Sequence, residues 1–356
     1  MDSASSKSAA KGAPCTRVSV LLPLNLPGPY DYRVPPGLEL AAGDVVLVPL
    51  GARQLNGVVW GPGSHEVAAA RLRDVIAQRE VPPLPAELRR FVDWVAAYTL
   101  SRPGPVLRMA ISVPAALAPP KPRTAYRLGD ALPERMTPAR ARVLELLAEG
   151  PPQTARELAK AAAVGPSVVR GLVDAGSLLP LVLPSEPGFA PPEIERPGVT
   201  LTAAQAEAAA VLCQGVADGG FSTTLLDGVP GSGKTEVYLE AVAECLRQGR
   251  QALVMLPEIA LTAQWLERFE RRFGVTPAGW HSDLTQAARR ATWRAVALGR
   301  ASVVVGARSA LFLPFPELGL IVVDEEHDGS FKQEDGVIYN ARDMAVARGH
   351  LGGFAV

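Results

Sequence analysis

The sequence has few cysteines, no net charge and no long apolar run. Its 356 residues include three cysteines, Cys15, Cys213 and Cys245, which are odd in number, far apart and without a Cys-x-x-Cys pair. This spacing excludes a disulfide framework or a tetrahedral zinc site built from these residues alone. A formal net charge of zero gives no overall attraction for nucleic acid, so a DNA-binding hypothesis must rest on local sites.

The chain also lacks signals for export or membrane insertion. The apolar stretch of residues 18–26 is interrupted by Pro23, and it is far shorter than the roughly 20 residues of a membrane span. We therefore expect a soluble, cytoplasmic protein with no membrane partner. With 48% hydrophobic residues the chain can bury more than one core, because single domains usually run about 100 to 200 residues.

The order of patterns along the chain predicts a multidomain protein. Residues 1–15 have almost no apolar side chains and are predicted to be a disordered tail. In residues 16–117, short apolar runs broken by proline and glycine predict a small β-rich domain, with one packed helix over residues 87–100. Residues 118–137 are rich in proline and arginine and lack periodicity, which is typical of a linker.

A compact helical region is predicted for residues 138–184. Three helical patterns with a turn near Gly165 have the spacing of a helix-turn-helix, and residues 178–184 could supply the wing strand of a winged-helix domain. A plain helical packing module fits equally well, because Arg170 is the only basic residue on the supposed recognition helix. The Pro-rich residues 185–198 are predicted to be a second linker.

Residues 199–356 alternate apolar strands with amphipathic helices. Continuous apolar strands such as residues 223–226, 251–256 and 320–323 predict a parallel sheet covered on both faces. The fold class is therefore α/β for this part, with a sheet that we expect to be incomplete at Val356.

A phosphate-binding motif opens this α/β region. It matches G-x-x-x-x-G-K-T in full and lies between the predicted strand 223–226 and a predicted helix. Its residues are Gly228, Val229, Pro230, Gly231, Ser232, Gly233, Lys234 and Thr235. Backbone N–H groups of such a loop wrap the phosphates, while Lys234 can neutralise them and the Thr235 hydroxyl can ligate Mg²⁺.

An acidic box supplies the rest of the predicted catalytic site, which comprises Lys234, Asp324 and Glu325. The strand 320–323 ends in two acids, so that Asp324 can hold Mg²⁺ while Glu325 orients the attacking water. The second acid favours hydrolysis over a small-molecule kinase. Upstream, the amide of Gln205 could recognise adenine, although an ordinary exposed helix glutamine is also consistent with the pattern.

Several segments resemble the PriA family of replication-restart helicases, of superfamily 2. GVPGSGKTEVYL, LPEIALTAQ, GARSALFLPF and DEEHDGSFKQEDG carry the similarity, which spans residues 200–350. The resemblance implies a RecA-like lobe 1 of an ATP-dependent 3′ to 5′ DNA helicase for replication restart and primosome assembly at stalled forks. It implies ATP and Mg²⁺ as cofactors. The implied partners are forked and single-stranded DNA, single-stranded-DNA-binding protein and other primosome proteins.

The resemblance also implies which residues contact DNA. LPGPYDYRVP and VPLG resemble the family's N-terminal domain, which binds the 3′ end of a nascent strand. The implied contacts are Tyr30, Asp31, Tyr32, Gly51 and Arg73 in that domain, and Thr262 and Arg308 in the lobe. Tyrosine rings can stack a base, Asp31 can accept a hydrogen bond from a 3′-hydroxyl, and Arg73 can hold a phosphate. Without the family, the two tyrosines are more typical of β-sheet core and surface positions.

Other basic residues of the lobe are predicted to lie on solvated helix faces. They are Arg271, Arg272, Arg289, Arg290 and Arg294.

One loop departs from the family pattern. Val337, Ile338 and Asn340 surround Tyr339, where the family has a Trp, an Arg and a His in a loop that couples DNA to ATP hydrolysis. Two hypotheses therefore stay open, a helicase and a fork-DNA-binding primosome scaffold with little turnover. The family's zinc-binding cysteines and second lobe lie outside this sequence. On the resemblance we expect an N-terminal fragment that ends within lobe 1 and hydrolyses ATP poorly.

Overall fold

The computed structural model of the protein describes residues 17–64, 67–119, 123–148, 150–183, 188–257 and 263–356. The described residues of Met1–Pro119 and Gly188–Val356 form one compact unit, and those of Pro120–Pro187 form a second. The predicted tail, residues 1–15, lies outside the described residues. Among the described helices, none is both long and apolar enough to cross a bilayer.

The N-terminal region is built on a β-sheet. Its described strands are β1 (Arg17–Leu21), β2 (Tyr30–Arg33), β3 (Val45–Leu50), β4 (Arg53–Pro62), β5 (Arg73–Asp74) and β6 (Ala77–Gln78). They lie in the order β5-β2-β1-β4-β3-β6. Val18 and Val20 of β1 are buried on one face, as strand alternation requires. Gly51 closes the β3–β4 hairpin with a φ of +60°, in the left-handed region that favours glycine.

Two helices follow, α1 (Ala86–Tyr98) and α2 (Pro103–Ala110). The apolar face of α1 is buried, as the sequence predicts. It packs against the α/β region as well as against the β-sheet. Phe91 lies with its ring centroid 5.3 Å from that of Phe312 in the α/β region. Both rings belong to a hydrophobic cluster that also includes Val45 of β3. The N-terminal region and the α/β region therefore share one core.

The second unit combines three helices with a three-stranded antiparallel sheet in its described residues. In chain order its elements are β7 (Arg123–Leu128), α3 (Pro138–Ala148), β8 (Gln153–Thr154), α4 (Ala155–Ala161), α5 (Pro166–Asp174) and β9 (Leu178–Leu183). Leu158, Val169 and Leu172 pack in its core with Val143. The strand predicted after α5 is present as β9.

The linker predicted for residues 118–137 is wrong for residues 123–128. These residues form β7, the central strand of the sheet, which pairs with β8 on one side and β9 on the other. The sequence RTAYRL is mostly polar, and only Ala125 is fully buried. Its pairing depends on β9, far along the chain, so local periodicity gives little sign of it.

The α/β region contains a parallel sheet with helices on its faces. Its elements are α6 (Ala203–Ala217), α7 (Lys234–Arg247), β10 (Gln251–Met255), α8 (Ala263–Phe273), β11 (Ala278–Trp280), α9 (Gln286–Ala297), β12 (Val303–Gly306), β13 (Leu318–Val323), β14 (Lys332–Gln333), β15 (Tyr339–Asn340) and α10 (Ala341–Gly352). The sheet order is β11-β12-β10-β13, and each of these neighbouring pairs is parallel. The parallel sheet predicted from the apolar runs is confirmed.

Residues 223–226, which are predicted to be a strand, do not form one. Ser222 forms a parallel bridge with Ala355, and the N–H of Thr224 donates to the carbonyl of Val356 over 2.9 Å. Leu225 is 76% exposed, so this apolar segment is not covered as a central strand would be. It still borders the sheet and leads directly into the phosphate-binding loop.

The second predicted linker, residues 185–198, packs on the α/β region where the structure describes it. Arg272 of α8 donates to the carbonyls of Ile194 and Arg196, and pairs with Glu240 over 2.7 Å. Arg272 is 5% exposed and Arg294 is 9% exposed. The prediction of solvated helix faces is therefore wrong for these two arginines, because buried carbonyl groups and a carboxylate take the place of water around them.

A buried ion pair joins the N-terminal region to the α/β region. Arg348 of α10 is fully buried and its Nε lies 2.9 Å from Oε1 of Glu87 in α1. The same guanidinium donates to the carbonyls of Leu311 and Leu313. Charges buried this deeply are stable only when paired and hydrogen-bonded, so the two regions are held in one arrangement.

Candidate functional site

The phosphate-binding loop has the backbone shape that its glycines predict. Gly231 and Gly233 have φ angles of +81° and +82°, and α7 begins at Lys234 directly after them. Consecutive N–H groups at such a helix start form a concave anion site. The Lys234 ammonium donates to the carbonyl of Gly228 over 2.7 Å, so it lies folded back against the loop.

Gln205 fastens this loop to α6. Its Nε2 donates to the carbonyl of Ser232 over 2.8 Å, and its Oε1 accepts from the N–H of Thr202 over 2.9 Å. A Cβ on Gly233 would lie 2.5 Å from that Nε2, so a side chain at this left-handed position would displace the amide from the loop. The alternative of an ordinary exposed helix glutamine is wrong, because the amide is half-buried and engaged at both ends.

The acidic box follows β13. Both oxygens of Asp324 accept hydrogen bonds, Oδ1 from the N–H of Glu325 over 3.0 Å and Oδ2 from the hydroxyl of Tyr238 over 2.9 Å. The indole Nε1 of Trp265 donates to the same hydroxyl over 2.7 Å. Burial first, and then the charge of Asp324, raise the pKa of Tyr238 far above its ordinary value, so its hydroxyl keeps its proton.

Glu325 has an unusual backbone. Its φ of +52° is left-handed although it is not a glycine, which costs on the order of 1 to 3 kcal/mol and persists only where the surroundings impose it. The N–H of Asp328 donates to the Glu325 carbonyl over 2.9 Å and closes the turn. The side chain is half-exposed, 3.7 Å from Nε2 of His327.

Part of the predicted nucleotide site borders one cavity of about 420 Å³, which Thr235 and Gln205 do not line. Gly228, Lys234, Asp324 and Glu325 are among its lining residues. The Tyr238 hydroxyl interacts with the side chains of both Thr235 and Asp324, so these two candidate oxygen ligands lie near one another. A hydroxyl and a carboxylate suit Mg²⁺, which prefers oxygen ligands, so the residues present fit a Mg²⁺–nucleotide.

The segment after the acidic box is pinned by Arg308. Its NH1 donates to the carbonyls of Ser330 and Lys332 over 3.0 and 2.8 Å. The guanidinium predicted to contact DNA therefore supports this loop in the present structure. Thr262, the other lobe residue predicted to contact DNA, lies outside the described residues.

Most residues of the loop that departs from the family pattern support the fold. Val337 and Tyr339 are buried in the shared core, and the Asn340 side chain caps α10 by accepting from the N–H of Arg342 over 3.0 Å. Ile338 is 60% exposed between them. It is the residue of this loop that presents an apolar side chain to solvent where the resemblance predicts a positive one.

The N-terminal candidate residues fall on two faces of the sheet. Tyr32 is paired with Arg73 across β2 and β5, and NH1 of Arg73 donates to the carbonyl of Gly51 over 3.4 Å. Tyr30 is two residues from Tyr32, on the same face of β2, and is 39% exposed. These four residues form the group that we call the tyrosine face: Tyr30, Tyr32, Gly51 and Arg73.

Asp31 does not join the tyrosine face. Its carboxylate accepts from the Ser19 hydroxyl over 3.1 Å, and from the N–H and hydroxyl of Ser64 over 3.1 and 2.9 Å. Its side chain is 3% exposed, and Arg17 lies 3.9 Å away. Because neighbouring residues of a strand point to opposite faces, this geometry does not support the prediction that Asp31 accepts a hydrogen bond from a 3′-hydroxyl.

Sequence reasoning missed Tyr238, Trp265 and Arg268. Arg268 NH1 lies 3.5 Å from the Thr235 hydroxyl. One signal could have found the tyrosine, because it follows Thr235 by three residues and Lys234 by four, which puts all three on one side of α7. No pattern in the sequence points to the two α8 residues, which come close only through the fold.

The fold and the site define a P-loop lobe of the helicase class, and the sequence comparisons agree. Residues 202–349 match the DEAD/DEAH box helicase family, and residues 19–112 match the 3′ DNA-binding domain of PriA. Replication restart protein PriA of Rickettsia conorii is 33% identical over 334 residues, which cover 93% of this chain and 40% of the relative. The corresponding protein of Haemophilus influenzae is 34% identical over 343 residues, covering 92% and 47%.

The chain is thus a relative of the PriA proteins, and the resemblance found in its motifs is confirmed. It spans about 40 to 50% of the length of the relatives that it matches. The two family matches do not include the second unit, residues 123–183.

Proposed function

We propose that this chain provides the nucleotide site and the DNA-end site of an ATP-dependent 3′ to 5′ DNA helicase for replication restart and primosome assembly at stalled forks. The observation that carries the proposal is the meeting of the phosphate-binding loop and the acidic box at one cavity, in a chain similar to PriA proteins over 93% of its length. As a protein of DNA replication, it would act in the cytoplasm.

In the proposed reaction Lys234 leaves the carbonyl of Gly228 and neutralises the β- and γ-phosphates of ATP. Thr235 and Asp324 would hold Mg²⁺, which would supply positive charge against the phosphates. Glu325 orients the attacking water and accepts its proton. Gln205 keeps one further N–H and one further lone pair with which it could recognise adenine while it holds the loop.

For DNA we propose that the tyrosine face binds a 3′ end, with Tyr30 stacking on the terminal base and Arg73 holding a phosphate. Asp31 would act from the opposite face, by tying β2 to Ser19 and Ser64. The second unit serves as a winged-helix domain for fork DNA, since its helices and β9 have the required order. Single-stranded-DNA-binding protein and primosome proteins are the proposed protein partners.

A fork-DNA-binding scaffold with little turnover is the second candidate, and one observation favours it. Ile338 offers no positive charge to DNA at the exposed tip of its loop, and Arg308 is occupied by loop carbonyls. Coupling of DNA to hydrolysis would then be weak.

The test is DNA-stimulated ATP hydrolysis by the protein from its complete gene, beside a Lys234→Ala variant. A helicase shows hydrolysis that rises with forked DNA and disappears in the variant. A scaffold binds forked DNA but shows no hydrolysis that the variant removes.

A further inference from the structure

One buried tyrosine touches the metal-binding candidates without a role in the proposed reaction. Tyr238 is 5% exposed on α7, and its hydroxyl lies 2.9 Å from Oδ2 of Asp324 and 2.7 Å from Nε1 of Trp265. The hydroxyl therefore stands between α8 and the acidic box.

The direction of both hydrogen bonds follows from chemistry. An indole N–H can only donate, and an ionised carboxylate can only accept. The single proton of the Tyr238 hydroxyl is thus directed at Asp324, while its oxygen accepts from Trp265. Trp265 fixes the rotation of the hydroxyl, because any other direction would lose one of the two bonds.

The carboxylate of Asp324 is in turn fixed at both oxygens. The N–H of Glu325 holds Oδ1 and Tyr238 holds Oδ2, and each oxygen keeps a further lone pair for a metal or a metal-bound water. A carboxylate oriented in advance loses less rotational freedom when it binds a cation, and such supporting contacts typically change metal affinity by roughly 10- to 100-fold. We propose that Tyr238, held by Trp265, is a positioning residue that orients Asp324 for Mg²⁺.

A second contact from the same helix supports the assignment. Arg268, three residues after Trp265 on α8, places NH1 3.5 Å from the hydroxyl of Thr235, the other metal-holding candidate. The position of α8 therefore bears on both oxygen ligands. This inference rests on the proposed nucleotide site, and its test must separate the two.

The experiment measures the anisotropy of a fluorescent ADP bound to the whole chain, with Mg²⁺ titrated and with Mg²⁺ removed by EDTA. For Tyr238→Phe we expect half-maximal binding at a Mg²⁺ concentration roughly tenfold higher than in the parent, as for the loss of one charge-assisted hydrogen bond. Affinity in EDTA should be unchanged, because Tyr238 acts on Asp324 and not on the phosphates. Trp265→Phe should shift Mg²⁺ dependence in the same direction and less, since the hydroxyl can still donate.

Two variants serve as controls for the loss of buried polar groups. Trp293→Phe removes an indole N–H that donates to the Ala110 carbonyl over 2.9 Å, away from the site. Tyr339→Phe removes a buried hydroxyl for which the described residues offer no hydrogen-bond partner. Neither should change the Mg²⁺ dependence.

The outcomes are distinct. A parent chain that binds no nucleotide with or without Mg²⁺ overturns the nucleotide site itself and, with it, the positioning role. A parent that binds, with Mg²⁺ dependence unaltered or strengthened in Tyr238→Phe, overturns the positioning role alone. Equal losses with Mg²⁺ and in EDTA would mean a structural role, and they too overturn the proposal. If Tyr238→Phe does not fold, Trp265→Phe decides by the same criteria.

Discussion

The nucleotide site and the tyrosine face lie in one unit but are built in opposite ways. The nucleotide site comes from two contiguous motifs, and its side chains hold one another: Lys234 bonds the loop, and Tyr238 bonds Asp324. The tyrosine face is assembled from three separate strand or turn positions, and its link between Arg73 and Gly51 is a single long bond of 3.4 Å. A contiguous loop fixes its own geometry, whereas a face of a sheet depends on pairing and alternation.

Both sites nevertheless depend on the core that the two regions share. Arg348 and Glu87 join α10, near the acidic box, to α1, beside the N-terminal sheet. A change at this pair should therefore reach both sites, whereas a change within either site should leave the other intact.

The largest expected effect is that of Arg348→Met. The substitution leaves Glu87 without its partner and the carbonyls of Leu311 and Leu313 without a donor. Breaking a buried pair from one side typically costs about 3 to 5 kcal/mol. Urea denaturation followed by tryptophan fluorescence should show this loss in the free energy of unfolding.

Arg247→Met is the matched control, because Arg247 is itself 40% exposed where it pairs with Glu195 and Glu244, and exposed pairs contribute only about 0 to 1 kcal/mol. Equal stability losses in the two variants would contradict the stabilising role of the Arg348–Glu87 pair.

The next effect is confined to the nucleotide site. Lys234→Ala should weaken binding of a fluorescent ATP analogue by about 10- to 100-fold, as expected for the loss of a charge-assisted contact to phosphate. DNA binding by the tyrosine face should be unchanged. Lys332→Ala, which removes an exposed ammonium paired with Glu334, is the control and should bind the nucleotide like the parent. A loss of DNA binding in Lys234→Ala would contradict the independence of the sites.

Much of the fold could be predicted from the sequence, and the failures have a common cause. β10 and β13 are continuous apolar runs, which predict strands. β7 is polar and gains its place only by pairing with β9. Residues 223–226 are apolar yet remain largely uncovered. Pairing between distant segments decides these two cases, and no local pattern contains it.

The candidate sites show the same limit. The residues of the phosphate-binding loop are adjacent in sequence, so spacing alone brings them together. Asp31 lies between Tyr30 and Tyr32 in sequence but points to the opposite face of β2, toward Ser19 and Ser64. Trp265 and Arg268 reach the site from another helix, and nothing short of the fold places them there.

A smaller effect should divide the tyrosine face from Asp31. Arg73→Ala in the whole chain should weaken binding to short single strands by a few fold and lower the salt dependence by about one counterion, as for one lost phosphate contact. Asp31→Asn should leave unchanged the ratio of affinities for strands that end in a 3′-hydroxyl and in a 3′-phosphate, because its side chain is 3% exposed. The measurement is fluorescence anisotropy at matched salt.

A change of that ratio in a folded Asp31→Asn protein would show that the carboxylate opens toward DNA and contacts the 3′ end directly. Unaltered binding in Arg73→Ala would remove the tyrosine face as the DNA-end site.

The smallest effect tests the turn that carries Gly51. Its φ of +60° suits glycine, and a Cβ there would meet no atom within 4 Å, so Gly51→Ala introduces backbone strain without a clash. The expected cost is about 1 to 2 kcal/mol of unfolding free energy. Gly51→Asn should cost less, because asparagine enters the left-handed region more readily. If alanine and asparagine cost the same, strain at this turn is not the cause.

In the nucleotide site Gly233→Ala combines a φ of +82° with a Cβ 2.5 Å from Gln205, so it should cost more than Gly51→Ala and weaken nucleotide binding as well. At Gly51 only the backbone is strained, whereas at Gly233 the added Cβ also displaces the Gln205 amide that holds the phosphate-binding loop.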